Sequence, residues 1–305
     1  MLSLLQYVVN GIVFSSIIVL GAIGLSLVYS IANFANFAHG DLMTVGAFGA
    51  LVGGGLLTGY MPGADVPIAG LPLAFYLAVV VGMVFAAVVA IATERLVYRP
   101  MDATPIQLLI ASIGVALAYR GAIQLRYGAE ARTFDVGRSG PIPIIRETIG
   151  ISVTQRHLVI VSLTVVLVVG LHLLLQYTTL GRKMRATADN PSLARVSGIR
   201  TAEVITAMWI IGAALAAAGG AFLGLDTLVR PDMGFDVLLV LFAAVILGGI
   251  GSVYGAVLGG FAIGMAHELT PLIPRVGAEY GPAVAFVIMV VILLVRPNGI
   301  LGENA

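Results

Sequence analysis

The side chains best able to do chemistry in this chain are gathered in two polar stretches of a very apolar sequence. The first, residues 177–203, reads YTTLGRKMRATADNPSLARVSGIRTAE and carries Arg182, Lys183, Arg185, Arg195 and Arg200; Lys183 is the only lysine. Its punctuation predicts two short helices, the first over about 180–189. Asn190 then caps a second helix with its side-chain oxygen, and Pro191 fits the first helical position, where no N–H is needed. Leu193, Ala194 and Val196 fall on that helix, and Gly198 can take the left-handed conformation that ends it. Thr201 is the expected cap of the apolar helix that follows. A basic helix-turn-helix between two membrane spans suits a contact surface in the cytoplasm. A solvated loop bearing the positive charges that orient a membrane protein explains the same residues without a partner.

The second stretch is ANFANFAHGDLMT, residues 32–44. Asn33, Asn36, His39 and Asp41 stand between two apolar segments with almost no polar spacer. An Asp at the centre of a membrane helix costs about 2.5–3.5 kcal/mol on insertion scales. These side chains must therefore lie at the interface, inside the protein or along a water-filled path. The spacing puts Asn33 and Asn36 on one helix face. One reading makes the four a translocation pathway; the other has Gly40 and Asp41 end one helix and cap the next. A third break, GGIGSVYGAVLGG at 248–260, sets Gly248, Gly251, Gly255 and Gly259 at spacings of three and four. That is the small-residue stripe that lets helices approach closely, or hinge, in lipid. Residues 38–54 have a similar texture, which suggests parallel internal repeats around a midplane pathway.

Stepping out to the elements that hold these residues, 59% of the 305 residues are hydrophobic and 10% are charged, with a mean hydropathy of +1.06. A soluble domain needs about 25% charged residues to cover its surface, so the chain is expected to be an all-α polytopic membrane protein forming one domain over 1–305. Roughly nine spans, within eight to ten, are expected at about 4–29, 41–60, 72–97, 105–125, 157–176, 202–225, 237–247, 253–267 and 282–295. The segment 1–10 reads as the start of the first span and not as a removed signal. Pro62 and Pro67 mark a turn region at 61–71. Residues 126–156 form an external surface loop, with short alternating apolar pieces suggesting a hairpin-like cap. With 177–203 in the cytoplasm, the N-terminus falls outside and the C-terminus inside. The arginines at 126, 132, 138, 146 and 156 in the external loop run against that orientation, and Glu130, Asp135 and Glu147 offset part of their charge. Arg120 and Gln124, one turn apart near an outer helix end, are expected to snorkel to the interface. His157 and His172 read as packed or interfacial, not as metal ligands. The net charge of +1 gives no basic face for a nucleic acid. No cysteine is present, no metal or catalytic site is indicated, and no nucleotide-binding G-x-x-x-x-G-K-[ST] run occurs. Any ATP must be bound by another chain, and no cofactor is expected.

Taken together, GLSLVYSIANFANFAHGDLMTVGAF (24–48), ERLVYRPM (94–101), LIASIGVAL (109–117), GRKMRATADNPSLARVSGI (181–199), VILGGIGSVYGAVLGG (245–260) and LLVRPNGILG (293–302) resemble a known family. It is that of the inner-membrane permease subunits of branched-chain amino acid ABC importers, of the H type, and the resemblance covers nearly the whole chain. It implies a multi-pass protein of a bacterial or archaeal plasma membrane. The implied partners are a second permease subunit (M-type or identical), cytoplasmic ATP-binding subunits and a periplasmic or extracellular solute-binding protein, besides membrane lipid. It also implies that 190–198 is the coupling helix seated in an ATPase cleft, with Arg185, Asn190, Pro191, Leu193, Ala194, Val196 and Gly198 serving that contact. The implied solute is leucine, isoleucine or valine; relatives of the family carry urea, short amides or other amino acids. From a different class, an ion-coupled secondary transporter fits the breaks and repeats equally well, though the acidic residues cluster at span ends and offer no clear proton relay. A channel would need a ring-forming filter motif that the sequence lacks.

Overall fold

A computed structural model describes residues 4–61, 63–137 and 140–302. Pro62, Arg138 and the first residues of the expected first span lie outside the described residues. The chain runs through α1 (Leu4–Ala32), α2 (Ala38–Tyr60), a two-residue-per-strand hairpin of β1 (Pro67–Ile68) and β2 (Leu71–Pro72), and α3 (Leu73–Thr93). α3 continues through a π-helical turn at Glu94–Tyr98 into α4 (Arg99–Met101). Then come α5 (Pro105–Tyr127), α6 (Pro143–Ile149), α7 (Gln155–Tyr177), α8 (Thr179–Asp189), α9 (Pro191–Val196), α10 (Thr201–Asp226), α11 (Met233–Gly248), α12 (Val253–Leu269) and α13 (Gly281–Val295).

Seven of these helical stretches are long and apolar enough to cross a membrane: α1, α2, α3 with its extension, α5, α7, α10 and the 18-residue stretch Ala278–Val295, in which a 3-10 turn leads into α13. The expected seventh and eighth spans are the shorter α11 and α12, of 16 and 17 residues. At 1.5 Å per residue α11 reaches about 24 Å, less than the roughly 30 Å of a hydrocarbon core. The reason is local: its N-terminus starts inside the bundle, against the beginning of α2.

α1 and α10 are the most buried of the long helices, and α2 packs beside them, touching α3, α5, α10 and α11. Small residues make this possible. A methyl at Gly220 would collide with the Met43 carbonyl, one at Gly46 with Ala217, and one at Gly82 with the Gly46 carbonyl. Without a hydrophobic drive between helices in lipid, such close backbone approach is the main source of packing energy. α1 runs against α10 and α12, with Gly264 beside Ser15 and Gly260 beside Val19. α11 and α12 close on each other at Gly248, Gly255 and Gly259, where added methyls would strike the facing carbonyls. Gly251 acts differently: its φ of +84° makes the turn between the two helices. The chain after α13 returns to this turn, Ile300 N–H donating to the Leu247 carbonyl (2.8 Å) and Leu301 N–H to that of Gly248 (3.0 Å). These bonds satisfy carbonyls that the end of α11 leaves open.

The stretch 126–156 is a hairpin only at its base, where Pro141 bridges Thr154. Its expected alternating pieces at 142–145 enter the short helix α6 instead, because Pro143 suits a first helical turn and Gly150 (φ +74°) ends it. A second bridge pairs Arg132 with Val229 and ties this loop to the end of α10.

Replacing Gly220 by Ala should cost about 1–3 kcal/mol through overpacking, seen as a lower thermal midpoint in detergent. Gly55→Ala, which meets nothing within 4 Å, should leave the midpoint unchanged or raise it slightly. Equal midpoints for the two would mean that α2 and α10 do not meet at Gly220.

Candidate functional site

The break between α1 and α2 lies inside the bundle. α1 stops because Asn33 turns left-handed, with φ +56°, its N–H still reaching the Tyr29 carbonyl at 2.9 Å. Asn is one of the few residues that visits this region readily. Residues 33–37 are not helical, so Asn33 and Asn36 share no helix face, contrary to their spacing. Gly40 and Asp41 do not end a helix; they lie in the first turns of α2. The new helix begins deep: His39 Nε2 is 3.0 Å from the Gly21 carbonyl oxygen, and Gly21 lies 11 residues, or about 16 Å, back from the end of α1.

Several polar groups in this break have partners in the protein, while the buried His39 Nδ1 has none among the described residues. The Asn36 side-chain oxygen accepts from Ala38 N–H (3.0 Å) and from the Tyr98 hydroxyl (3.3 Å). Ser112 of α5 accepts from Phe37 N–H at 2.9 Å. Thr44 accepts from Gly234 N–H at 3.0 Å, across to the first turn of α11. Asn36, His39, Asp41, Thr44 and Ser112 are all buried in the protomer, while Asn33 is exposed. Tyr98 stacks on Trp209 with ring centroids 5.5 Å apart, walling the break on the α10 side.

Asp41 takes a two-pronged ion pair from Arg120 of α5. Nε donates to Oδ1 at 3.1 Å and Nη2 to Oδ2 at 3.0 Å. The guanidinium lies 4.3 Å from the ring centroid of Phe235, in the first turn of α11. This overturns the expectation that Arg120 snorkels outward. The pair joins the first turn of α2 to the body of α5, a pairing the sequence did not suggest. Asp41 is fully buried and the Arg120 side chain is 19% exposed. The carboxylate also stands in the first turn of α2, where the helix dipole favours a negative charge. Beyond Phe235, Arg230 pairs with Asp236 at 2.8 Å on an accessible rim.

The basic stretch folds as its punctuation foretold. Thr178 accepts from Gly181 N–H (3.0 Å) at the start of α8, and Asn190 from Leu193 N–H (2.9 Å) at the start of α9. Gly198, with φ +83°, ends α9. There Ile199 N–H reaches the Ala194 carbonyl (3.0 Å) and Gly198 N–H that of Arg195 (3.1 Å), the double bond pattern of a glycine-terminated helix. The cap of α10 is Arg200, not Thr201. α8 rests on α1, α7 and α10, with Gly181, Met184 and Thr187 inward and Arg185 bonded to the Leu175 carbonyl. In α9 Ala194 faces in, whereas Leu193 and Val196 are 62% and 87% exposed. Two large aliphatic side chains three apart on a capped helix, bare of cover in a basic stretch of the chain, form a knob suited to an apolar socket. Between α8, the end of α1 and the start of α12 lies a cavity of about 240 Å³ lined by Ser30, Met184, Arg185 and Tyr254.

The histidines sit where packing puts them: His157 is 3.7 Å from Asp226, His172 bonds Tyr254 at 3.0 Å, and His267 stacks on Phe14.

Residues 7–293 match the family described as branched-chain amino acid transport system, permease component. The chain is 32% identical to the high-affinity branched-chain amino acid transport system permease protein BraD of Pseudomonas aeruginosa, over 98% of this chain and 96% of that protein. It is likewise 32% identical to the corresponding protein LivH of Escherichia coli K12, with the same coverage, and to a probable LivH of Methanocaldococcus jannaschii over 97% and 91% of the two chains. Among solved structures, a chain of PsaBC from Streptococcus pneumoniae, in complex with Fab, superposes with a TM-score of 0.50 at 9% identity, covering 94% of this chain and 91% of that one. That likeness concerns the fold alone.

Exchanging Asn36 for Leu keeps the volume but removes the acceptor of Ala38 N–H and the Tyr98 hydroxyl. It should cost about 1–3 kcal/mol for each buried donor stranded, measured as a fall in thermal midpoint. Asn33→Gly, which keeps the left-handed φ accessible at the exposed position, should cost less. The reverse order would dismiss Asn36 as the group that holds the break.

Proposed function

The chain belongs to the family of permease components of branched-chain amino acid transport systems, and we propose that it is one of two permease subunits enclosing the membrane pathway of an ATP-driven importer of leucine, isoleucine and valine. It is a transport subunit and carries out no chemistry on its solute. ATP is bound and hydrolysed by a separate cytoplasmic subunit, and a solute-binding protein outside delivers the amino acid. The observation that carries this reading is the bare Leu193–Val196 pair on the capped helix α9, in a chain whose relatives are named as permeases of these systems.

In this reading α9 is the coupling helix. Asn190, Pro191 and Gly198 give it its shape, Ala194 seats it, Leu193 and Val196 enter the ATPase, and Arg185 ties α8 to the end of α7. Closure of the ATPase pair pushes α9, and α8 passes the displacement to α7 and α10, rocking the bundle between its two open states. Asn36, His39 and Asp41 support the pathway wall from within, and Gly248, Gly255 and Gly259 keep α11 and α12 together as it moves.

Orientation follows from α8–α9 lying in the cytoplasm. An odd number of crossings then puts the N-terminus outside and the C-terminus inside. Whether the short α11–α12 pair crosses fully or only dips in does not alter this, since the pair leaves and returns on one side. The membrane is the plasma membrane of a bacterium or archaeon.

In proteoliposomes holding all subunits, Leu193→Asp with Val196→Asp should reduce ATP-dependent leucine uptake at least tenfold, as for interface anchors worth about 2 kcal/mol or more, while the protein still inserts. Normal uptake would show that α9 is not the coupling contact, and uptake that follows an ion gradient without ATP would replace the importer by a secondary transporter. Because the chain has no cysteine, single labels can report sidedness. Ser197→Cys should react with a membrane-impermeant maleimide only from the cytoplasmic face, and Thr148→Cys only from outside; the opposite pattern inverts the topology.

A further inference from the structure

The Asp41–Arg120 pair is placed oddly for a simple brace. It joins α2 to a peripheral helix, and the Arg120 side chain is partly exposed on the protomer while Asp41 is covered. α5 packs chiefly on α2, and beside Arg120 it leaves Ile113 and Leu117 exposed. Leu117 lies one turn before Arg120, on the same face. On α11, Phe235, which lies under the guanidinium, and Leu239, one turn on, are also exposed. The ion pair thus sits between two bare apolar ridges. On its other side the accessible Arg230–Asp236 pair leads away toward the chain end of α10.

We propose that Arg120 and Asp41 form the polar subsite that takes the α-carboxylate and α-ammonium of an aliphatic amino acid during passage, each residue exchanging its ionic partner for one on the solute. This rests on the amino acid reading given above. The argument is one of charge conservation in an apolar setting. Removing one member of a buried pair strands the other charge, which is strongly unfavourable. A zwitterion brings one charge of each sign, so neither residue is stranded when it arrives and both are re-paired when it leaves. The fork of Arg120 matches a carboxylate in two-pronged fashion. Asp41 gains the ammonium in place of the guanidinium. An aliphatic side chain then lies along Leu117, Phe235 and Leu239. An uncharged amide or urea has nothing to exchange and leaves the pair closed, so the subsite selects the zwitterionic class and not a particular aliphatic member.

The test uses the complete reconstituted complex, measuring labelled leucine uptake and ATP hydrolysis stimulated by loaded binding protein in the same vesicles. Wild-type uptake checks the underlying reading by itself: no ATP-dependent uptake of leucine removes that reading, and with it the subsite. Two variants address the subsite alone. Arg120→Lys keeps the charge and removes the fork. Asp41→Leu with Arg120→Met replaces the ion pair by apolar volume, a change that buried pairs often tolerate without loss of stability. Both are expected to hydrolyse ATP at near wild-type rates while leucine moved per ATP falls by about tenfold or more, as when one partner of a close charge pair is lost. Wild-type uptake per ATP in the apolar double variant would reduce the pair to a brace and overturn the proposal. Should that variant fail to insert, Arg120→Lys decides: unchanged uptake per ATP overturns the subsite, and a selective loss of uptake with hydrolysis intact supports it.

Discussion

Inside a membrane no water is at hand to satisfy a free N–H or carbonyl, so any irregular backbone there must be paired by the protein itself. The stretch 33–37 is where this constraint bears hardest, and much of the surrounding architecture answers it. Asn36 turns its side chain onto the N–H of Ala38, Ser112 comes from α5 to meet Phe37 N–H, and Thr44 closes the first turn of α11 at Gly234. None of these partners is near its mate in sequence except Asn36. A break in one helix therefore demands that α5 and α11 be held in place, and the buried Asp41–Arg120 pair with Phe235 above it does so. The short length of α11 follows as well, because its start must reach the depth of Gly40.

This divides the bundle by how its parts are held. α1, α2, α3, α10, α11 and α12 meet through glycines and alanines at backbone contact, and such contacts do not deform gradually. α5, α7 and α13 keep broad exposed aliphatic faces. α5 is held on one side only, by the buried Val115, Ala116 and Ile123, by Tyr127 against Phe48 at 5.2 Å, and by three polar links: Arg120 to Asp41, Ser112 to Phe37, and the shared bond of the Tyr119 and Thr93 hydroxyls at 2.5 Å.

What was legible in the sequence is what local chemistry decides. Asn190-Pro191 and Gly198 gave the bounds of α9 because a cap and a left-handed stop act within a few residues, and the long apolar helices declared themselves by composition. The pairing of Asp41 with Arg120 was not legible: 79 residues separate them, and an Arg near a helix end ordinarily snorkels. Likewise the spacing of Asn33 and Asn36 suggested a helix that Asn33 itself interrupts with its left-handed φ. The hairpin at 67–72 and the helix at 143–149 rest on Pro and Gly choices that permit several turns, so only the assembled chain selects among them.

The same contacts set how far a push at α9 can travel. α8 lies against the end of α1 and, across the small cavity at Ser30 and Tyr254, faces the start of α12. α1 then carries the Gly21 carbonyl, to which His39 is fixed at 3.0 Å. Gly24 packs so closely on the His39 ring that a methyl there would stand 3.0 Å from Cε1. Sliding α1 by even part of a helical turn would break the His39 bond and force the imidazole against the Gly24 backbone. The start of α2 must therefore follow α1, and Asp41, two residues on, is carried with it, along with its ion pair to Arg120 of α5. If α9 is the coupling helix proposed above, α1 and His39 are the contacts through which its displacement reaches the Asp41–Arg120 pair.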